Sequence, residues 1–320
     1  MSEDKQCQLN TILVTGGAGF LGRHLCAKLL EDPVNYVICV DNLITGYESN
    51  IEEFKSNPNF LFISHDITKD YSYPKVNQIY NLASLASPDK YKLYSIETIM
   101  TNFMGTKNML DLALRDGAKI LLTSTSEVYG DPQIHPQPET YYGNVNVVGE
   151  RSCYDESKRL AETIMYEYRK KYNLDTKIIR IFNTYGPYMD INDGRVITNF
   201  IKNIKSSKPI QIYGSGEQTR SFCYYEDMIR GLIMMMETEY LVSGPINLGN
   251  PDCEFTLNEL VKIYGKIYSH DIEVEYLDGT ENDPKCRKPI INKAQEILGW
   301  YPLIGLEEGL IETIKFFSSK

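Results

Sequence analysis

Apolar residues up to about residue 181 cluster in short stretches, at 11–15, 36–40, 60–63, 78–81, 119–123 and 177–181. Runs of this length without polar alternation predict strands buried on both faces. Between them the apolar spacing becomes helical, at 20–31 (Leu21, Leu25, Leu29), 97–115 and 155–172. Strand–helix alternation of this kind predicts an α/β fold, a doubly wound parallel (Rossmann) sheet. After Gly186-Pro187 the rhythm breaks. Loops rich in Asp, Asn and Gly alternate with short helical patterns at 194–206 and 256–267. This predicts a smaller α/β substrate-binding lobe over the C-terminal edge of the sheet. The expected division is a dinucleotide domain at 8–185, returning at about 219–249, and a substrate lobe at 186–218 and 250–316. The aliphatic and methionine pattern in 97–115 and 228–236 reads as core or subunit interface.

The first run ends in Thr15-Gly16-Gly17-Ala18-Gly19-Phe20-Leu21-Gly22, where Gly17, Gly19 and Gly22 satisfy G-x-G-x-x-G between a strand and a helix. Glycines there allow a tight turn and close approach to a pyrophosphate seated on the helix N-terminus. The second run closes on Asp41, about 20 residues on, where a carboxylate can bind the adenosine ribose hydroxyls. That charge repels a 2′-phosphate, so NAD is expected rather than NADP. Strand, glycines, helix, strand and acid agree in order and spacing.

Composition narrows the partners. The 320 residues carry 33 Lys and Arg against 43 Asp and Glu, a net charge of −10. Such a chain can bury a large core, and nucleic acid and anionic membranes are poor partners. No apolar run reaches the length of a membrane span. The stretch Met1 to Cys7 is polar and unlike a signal peptide. Seven scattered cysteines without a C-x-x-C read as free thiols in a reducing compartment, the cytoplasm. Four dispersed histidines (24, 65, 135 and 270) suggest no metal site.

Tyr154 and Lys158 form a Tyr-x-x-x-Lys pair, which a helix places on one face about one turn apart. A lysine cation beside a phenol favours the phenolate, a base able to take a proton from a sugar hydroxyl. Upstream lies Ser124-Thr125-Ser126-Glu127-Val128-Tyr129-Gly130.

Together with Leu82-Ala83-Ser84, Cys153 to Arg159, Arg180 to Pro187, Asp193 to Val196, Tyr213 to Arg220 and Asn247 to Pro251, these segments resemble the extended short-chain dehydrogenases/reductases. The likeness is to their nucleotide-sugar branch, and within it to the UDP-glucuronate decarboxylases. It runs from about residue 11 to 316. It implies decarboxylation of a UDP-sugar acid to UDP-xylose through a transient 4-keto sugar, with tightly bound NAD regenerated each turnover. Carried over from the family, Tyr154, Lys158 and Thr125 serve the C4 oxidation, and Glu127 and Arg287 flank the C5–C6 side, with Ser126 between Thr125 and Glu127 as a further catalytic candidate. The implied cofactor contacts are Gly16, Gly19, Phe20, Leu21, Gly22, Asp41, Asn42, Thr45, Gly46, Asp66, Ile67, Leu82, Ala83, Ser84, Tyr154, Lys158, Thr184 and Arg195. The implied substrate contacts are Glu127, Asn183, Asn199, Tyr213, Arg220 and Arg287. The resemblance also implies a homodimer, in which helices 97–115 and 155–172 form a four-helix bundle.

Sugar-nucleotide 4,6-dehydratases carry Thr-Asp-Glu where this chain has Thr125-Ser126-Glu127. A dehydratase needs an acid to protonate a departing C6 hydroxyl, which a serine does poorly. Other readings stay open: a 4-epimerase, a 4,6-dehydratase, or a protein that binds NAD without turnover. Arg287, in the basic segment from Asp283 to Pro289, could also be a solvated charge, and so could Arg220. Glu127 could cap a helix or pair with a lysine, and Thr125 and Ser126 could be turn-formers. Met100, where close relatives carry a lysine near the substrate, Leu85 and Ile290 depart from the family pattern.

Overall fold

The computed structural model describes residues 9–278 and 286–319. The polar stretch Met1 to Cys7 and the Asp283-Pro284-Lys285 part of the basic segment lie outside the described residues. Thirteen strands are present among the described residues. The first six are β1 (Asn10–Thr15), β2 (Asn35–Asp41), β3 (Phe60–Ser64), β4 (Gln78–Asn81), β5 (Lys119–Thr125) and β6 (Thr176–Ile181). Short ones follow: β7 (Thr184–Tyr185), β8 (Ile210–Tyr213), β9 (Thr219–Ser221), β10 (Cys223–Tyr224), β11 (Ile246–Leu248), β12 (Glu254–Thr256) and β13 (Val274–Leu277). Seven build one sheet in the order β11-β6-β5-β4-β1-β2-β3. Every pairing in it is parallel, for example Ile12↔Val37 and Leu122↔Ile178. The direction reverses between β1 and β4, and at that switch point an open α/β sheet leaves a crevice for ligands.

The helices are α1 (Phe20–Leu29), α2 (Pro88–Leu93), α3 (Ser95–Met100), α4 (Thr106–Asp116), α5 (Ser152–Tyr172), α6 (Val196–Lys205), α7 (Tyr225–Glu237), α8 (Leu257–Tyr268), α9 (Asn292–Leu298) and α10 (Leu306–Ser318). The single helix expected over 97–115 is instead α3 and α4 joined by a π turn at Thr101–Gly105. Two close contacts fit that widened turn. Asn102 donates to the Ser157 hydroxyl of α5 at 2.9 Å, and Gly105 lies against Ile67, whose side chain a Cβ would meet at 2.6 Å. The apolar pattern of 228–236 belongs to α7 and is core: Met228, Leu232, Met235 and Met236 are fully buried against the sheet.

A separate apolar cluster, with Phe200, Ile210, Leu260 and Leu310 at its centre, holds the α6, α8 and α10 layer together. His24 of α1 ties the two parts. Its Nε2 meets the Pro187 carbonyl oxygen at 2.9 Å, and its ring stacks on Tyr225 at 3.7 Å. Between them an open cleft of about 980 Å³ follows the C-terminal ends of β1, β4 and β5.

Candidate active site

At one end of the cleft β1 delivers the glycine turn. Gly16 has φ +68°, and a Cβ there would stand 2.9 Å from the Ala83 backbone. A Cβ on Gly22 would lie 2.1 Å from the Gly16 carbonyl oxygen, so only glycine lets α1 start this close to the loop. Asp41 ends β2 and is buried. Its Oδ2 accepts the Ala18 N–H at 3.0 Å and its Oδ1 the Leu43 N–H at 2.8 Å. Burial raises its carboxyl above the ordinary range, while backbone hydrogen bonds from Leu43, Ala18 and Asn42 limit the rise. Nearby, the Ser84 hydroxyl is buried with no partner among the described residues. A backbone cradle that excludes side chains, a helix N-terminus and a carboxylate fit a dinucleotide.

At the other end β5 stops at Thr125, whose hydroxyl accepts the Glu127 N–H at 3.2 Å and starts a 3-10 turn over Ser126–Tyr129. The turn and the loop beyond Cys286 meet at Arg287. This guanidinium is only 1% exposed, which removes the surface-charge reading. Its Nη1 donates to Ser126 Oγ at 3.0 Å and lies 3.0 Å from Glu127 Oε1. Its Nη2 donates to Glu127 Oε2 at 3.2 Å and to the Gly130 carbonyl at 3.0 Å. Glu127 also pairs with Arg151 at the start of α5. Burial alone would raise the Glu127 carboxyl, but Arg287, Arg151 and Arg220 outweigh it and hold it well below the usual carboxylate range. Glu127 is therefore an anion near neutral pH and has no proton to give.

Tyr154 and Lys158 lie buried on α5, as the spacing predicts. Their coupling differs from expectation. Lys158 Nζ donates to the Thr123 carbonyl at 3.0 Å and sits 5.9 Å from the centre of the Tyr154 ring. The phenol stacks on Tyr91 at 5.2 Å, and burial pushes its pKa well above 10 despite a hydrogen bond with Thr125. Burial lowers Lys158 as well, to about 8, with the Glu162 charge opposing.

The cleft brings together every candidate residue except Gly46 and Asp66. Gly46 backs Asp41, whose Oδ2 a Cβ would meet at 2.9 Å, and Asp66 accepts the Thr68 N–H at 2.9 Å. Asn183 lines the cleft with its Nδ2 buried and unpartnered among the described residues. Met100 is 40% exposed and outside the lining, whereas Lys90 and Lys92 lie within it. Leu85 packs on Tyr91 and Tyr154.

Sequence reasoning missed Arg151, Tyr91 and Asp155. All three line the cleft, and Arg151 Nε lies 3.8 Å from Asp155 Oδ2. The available signal was the spacing Arg151, Asp155 at i and i+4 on the helix that carries Tyr154. Asp155 is 6% exposed, its Oδ1 has no partner among the described residues, and burial with the Glu127 charge raises its carboxyl to about 7. Among the described residues no cluster of His, Cys, Asp and Glu is placed to hold a metal ion.

A family model described as the NAD dependent epimerase/dehydratase family matches residues 12–249. UDP-glucuronic acid decarboxylase 5 of Arabidopsis thaliana is 51% identical over 311 residues, 97% of this chain and 90% of that protein. UDP-glucuronic acid decarboxylase 1 of Xenopus tropicalis is 48% identical over 306 residues, 96% of this chain and 72% of that protein. Among solved structures, UDP-glucuronic acid 4-epimerase from Bacillus cereus, in complex with UDP-glucuronic acid and NAD, superposes with TM-score 0.88. It is 27% identical, over 97% of this chain and 99% of that one.

Proposed function

The chain belongs to the NAD dependent epimerase/dehydratase family, and from that membership we propose that it decarboxylates UDP-glucuronate to UDP-xylose. The observation that carries the reading is about 50% identity to UDP-glucuronic acid decarboxylases over nearly the whole chain. The buried Ser126–Glu127–Arg287 cluster supports it, because a guanidinium held beside the cleft suits a sugar acid.

The glycine turn, Asp41 and the neighbourhood of Ser84 would hold NAD, which when bound supplies the two-electron acceptor for C4 and returns the pair at the end. Tyr154 takes the O4 proton, with Thr125 hydrogen-bonded to it and Lys158 beneath. With C4 a ketone, the carboxylate is β to a carbonyl, so the C5–C6 electron pair can enter an enolate as CO₂ leaves. Arg287 and Glu127 fix the C5–C6 side, and Ser126 orients Arg287. Their work is orientation and charge placement. Arg220, Asn183, Asn199 and Tyr213 bind the rest of the UDP-sugar.

The same reading has three further parts: a division of labour between a NAD lobe and a substrate lobe, a homodimer, and a cytoplasmic location. The dimer rests on the paired α3 and α5, whose outer face exposes Ile96, Ile99, Met100 and Leu160. The location rests on six thiols that stand free among the described residues. Among the described residues no helix is long and apolar enough to cross a membrane.

Likeness to the Bacillus cereus epimerase supports one second reading, 4-epimerisation of the same sugar acid. Incubation with UDP-glucuronate and NAD, with the product identified by mass and NMR, separates the two. UDP-xylose and CO₂ are expected. UDP-galacturonate without CO₂ would replace the decarboxylase by the epimerase.

A further inference from the structure

Loss of CO₂ from UDP-glucuronate consumes one proton, because C5 exchanges its bond to carbon for one to hydrogen. Glu127, held as an anion by its arginines, has none to supply. The proton on Tyr154 came from O4 and returns there. A separate source is needed beside the C5–C6 end of the cleft.

Asp155 occupies that place. The groups facing it are Glu127 from the turn after β5, Arg287 from its loop, Arg151 at the cap of α5, Cys153, Tyr154 and Glu156 from α5 itself, and Tyr91 from α2. An acid in the first turn of a helix is commonly a solvated partner of the helix dipole. This one is buried, its Oδ1 accepts no hydrogen bond among the described residues, and the Tyr91 hydroxyl is likewise unpartnered. Glu127 and Asp155 already share this end of the cleft, where the Glu127 charge raises the Asp155 carboxyl against the pull of Arg151 and Arg287. A substrate carboxylate entering there puts a third carboxylate beside these two, and like charges at close range raise one pKa strongly. Glu127 contacts two guanidiniums directly, whereas Asp155 has a single cation at 3.8 Å, so Asp155 is the acid that yields.

Building on the decarboxylase reading, we propose that Asp155 is the proton-holding residue of this site. It takes up a proton as the substrate carboxylate binds and delivers it to C5 once CO₂ has left. In that step the Asp155 O–H bond breaks, the enolate carbon forms its C–H bond, and the C4 ketone is restored. Asp155 is left ionised, matching a product with no carboxylate.

The test counts protons. Tyr154→Phe protein, saturated with NAD so that binding is seen without turnover, is titrated calorimetrically at about pH 8 in two buffers of different ionisation enthalpy. Uptake approaching one proton per site is expected with UDP-glucuronate and none with UDP-glucose. Adding Asp155→Asn should abolish the uptake while leaving UDP-glucuronate bound at least as tightly, since the amide mimics the protonated acid. With Tyr154 intact, Asp155→Asn should slow UDP-xylose formation by about 10²-fold, the scale of general-acid catalysis. Unchanged uptake in the double variant, no uptake in its parent, or turnover of Asp155→Asn within a factor of about three would overturn the role. If the wild-type protein releases no CO₂ from UDP-glucuronate, the activity itself falls, and the assignment of Asp155 with it.

Discussion

Replacing Arg287 by lysine separates charge from geometry at the centre of this site. The guanidinium makes four contacts of 3.0–3.2 Å, two on Glu127 and one each on Ser126 and Gly130. A lysine ammonium keeps the charge but cannot span both edges of the fork. Charge-assisted hydrogen bonds are worth about 1.5–3 kcal/mol each. Losing two of them should therefore cost about 3 kcal/mol or more, against a total stability of about 5–15 kcal/mol. The variant should fold, with a lower denaturant midpoint. Arg287→Ala is the harsher change: it leaves Glu127 buried with one guanidinium fewer, and breaking a buried pair costs about 3–5 kcal/mol. Affinity for NAD should be unchanged in Arg287→Lys, because Asp41 is held by Ala18 and Leu43. Release of CO₂ should fall by about 10²-fold, or about 2.7 kcal/mol of transition-state stabilisation. The assay pairs ¹⁴CO₂ release with a urea titration and an NAD titration. A lysine variant that turned over within a factor of about three of wild type would show that the fork does not matter.

Gly22→Ala should abolish NAD binding at micromolar cofactor, since its Cβ meets the Gly16 carbonyl oxygen at 2.1 Å and backbone cannot move aside; wild-type affinity in a fluorescence titration would contradict this. His24, lowered to about 4 by burial, binds its proton less readily folded than unfolded. Between about pH 6.5 and 4 the unfolded chain then holds more protons, so stability should decline as pH falls through that window, by up to about 3 kcal/mol at roughly 1.4 kcal/mol per pH unit. His24→Phe, which keeps a ring against Tyr225, should flatten the decline in urea titrations across pH, and an equally steep variant would assign it to other groups. Sedimentation at micromolar concentration should give a dimer mass; a monomer would leave the α3 and α5 face without its partner.

Much of this architecture was legible because it is periodic. Six apolar runs became β1 to β6, and Gly17-x-Gly19-x-x-Gly22 with Asp41 fell at the ends of β1 and β2. What was missed had weaker local signals. The break at Thr101–Gly105 answers contacts from Ile67 and Ser157, residues 38 positions before and 52 after Gly105, which a 3.6-residue period cannot register. The six-residue α2 is too short to show a period, yet it carries Tyr91, on which Tyr154 stacks. Spacing put Tyr154 and Lys158 together correctly. It said nothing of the burial that lifts the phenol or of the Thr123 carbonyl that engages the ammonium.

The charge balance of the cleft explains why Arg151 and Asp155 stay invisible in a linear reading. A charged pair spaced i, i+4 at the start of a helix has the same appearance on a solvated face as in a site. The difference lies in what the fold lays on top. The turn at Ser126 and the loop carrying Arg287 bring a second opposite pair onto the first, and all four side chains are largely shielded from water. Water then compensates each charge only weakly, so a ligand carboxylate laid beside Glu127 and Asp155 raises the pKa of one of the acids it meets. A site built this way favours a substrate whose charge disappears during the reaction. The carboxylate that joins these acids on entry is the group that departs as CO₂, and the product leaves the four residues as they began. An epimerase acting on the same sugar acid would keep that carboxylate through the whole cycle. The third carboxylate would then oppose binding of its product as much as of its substrate, and a proton taken up on binding would have no carbon to go to.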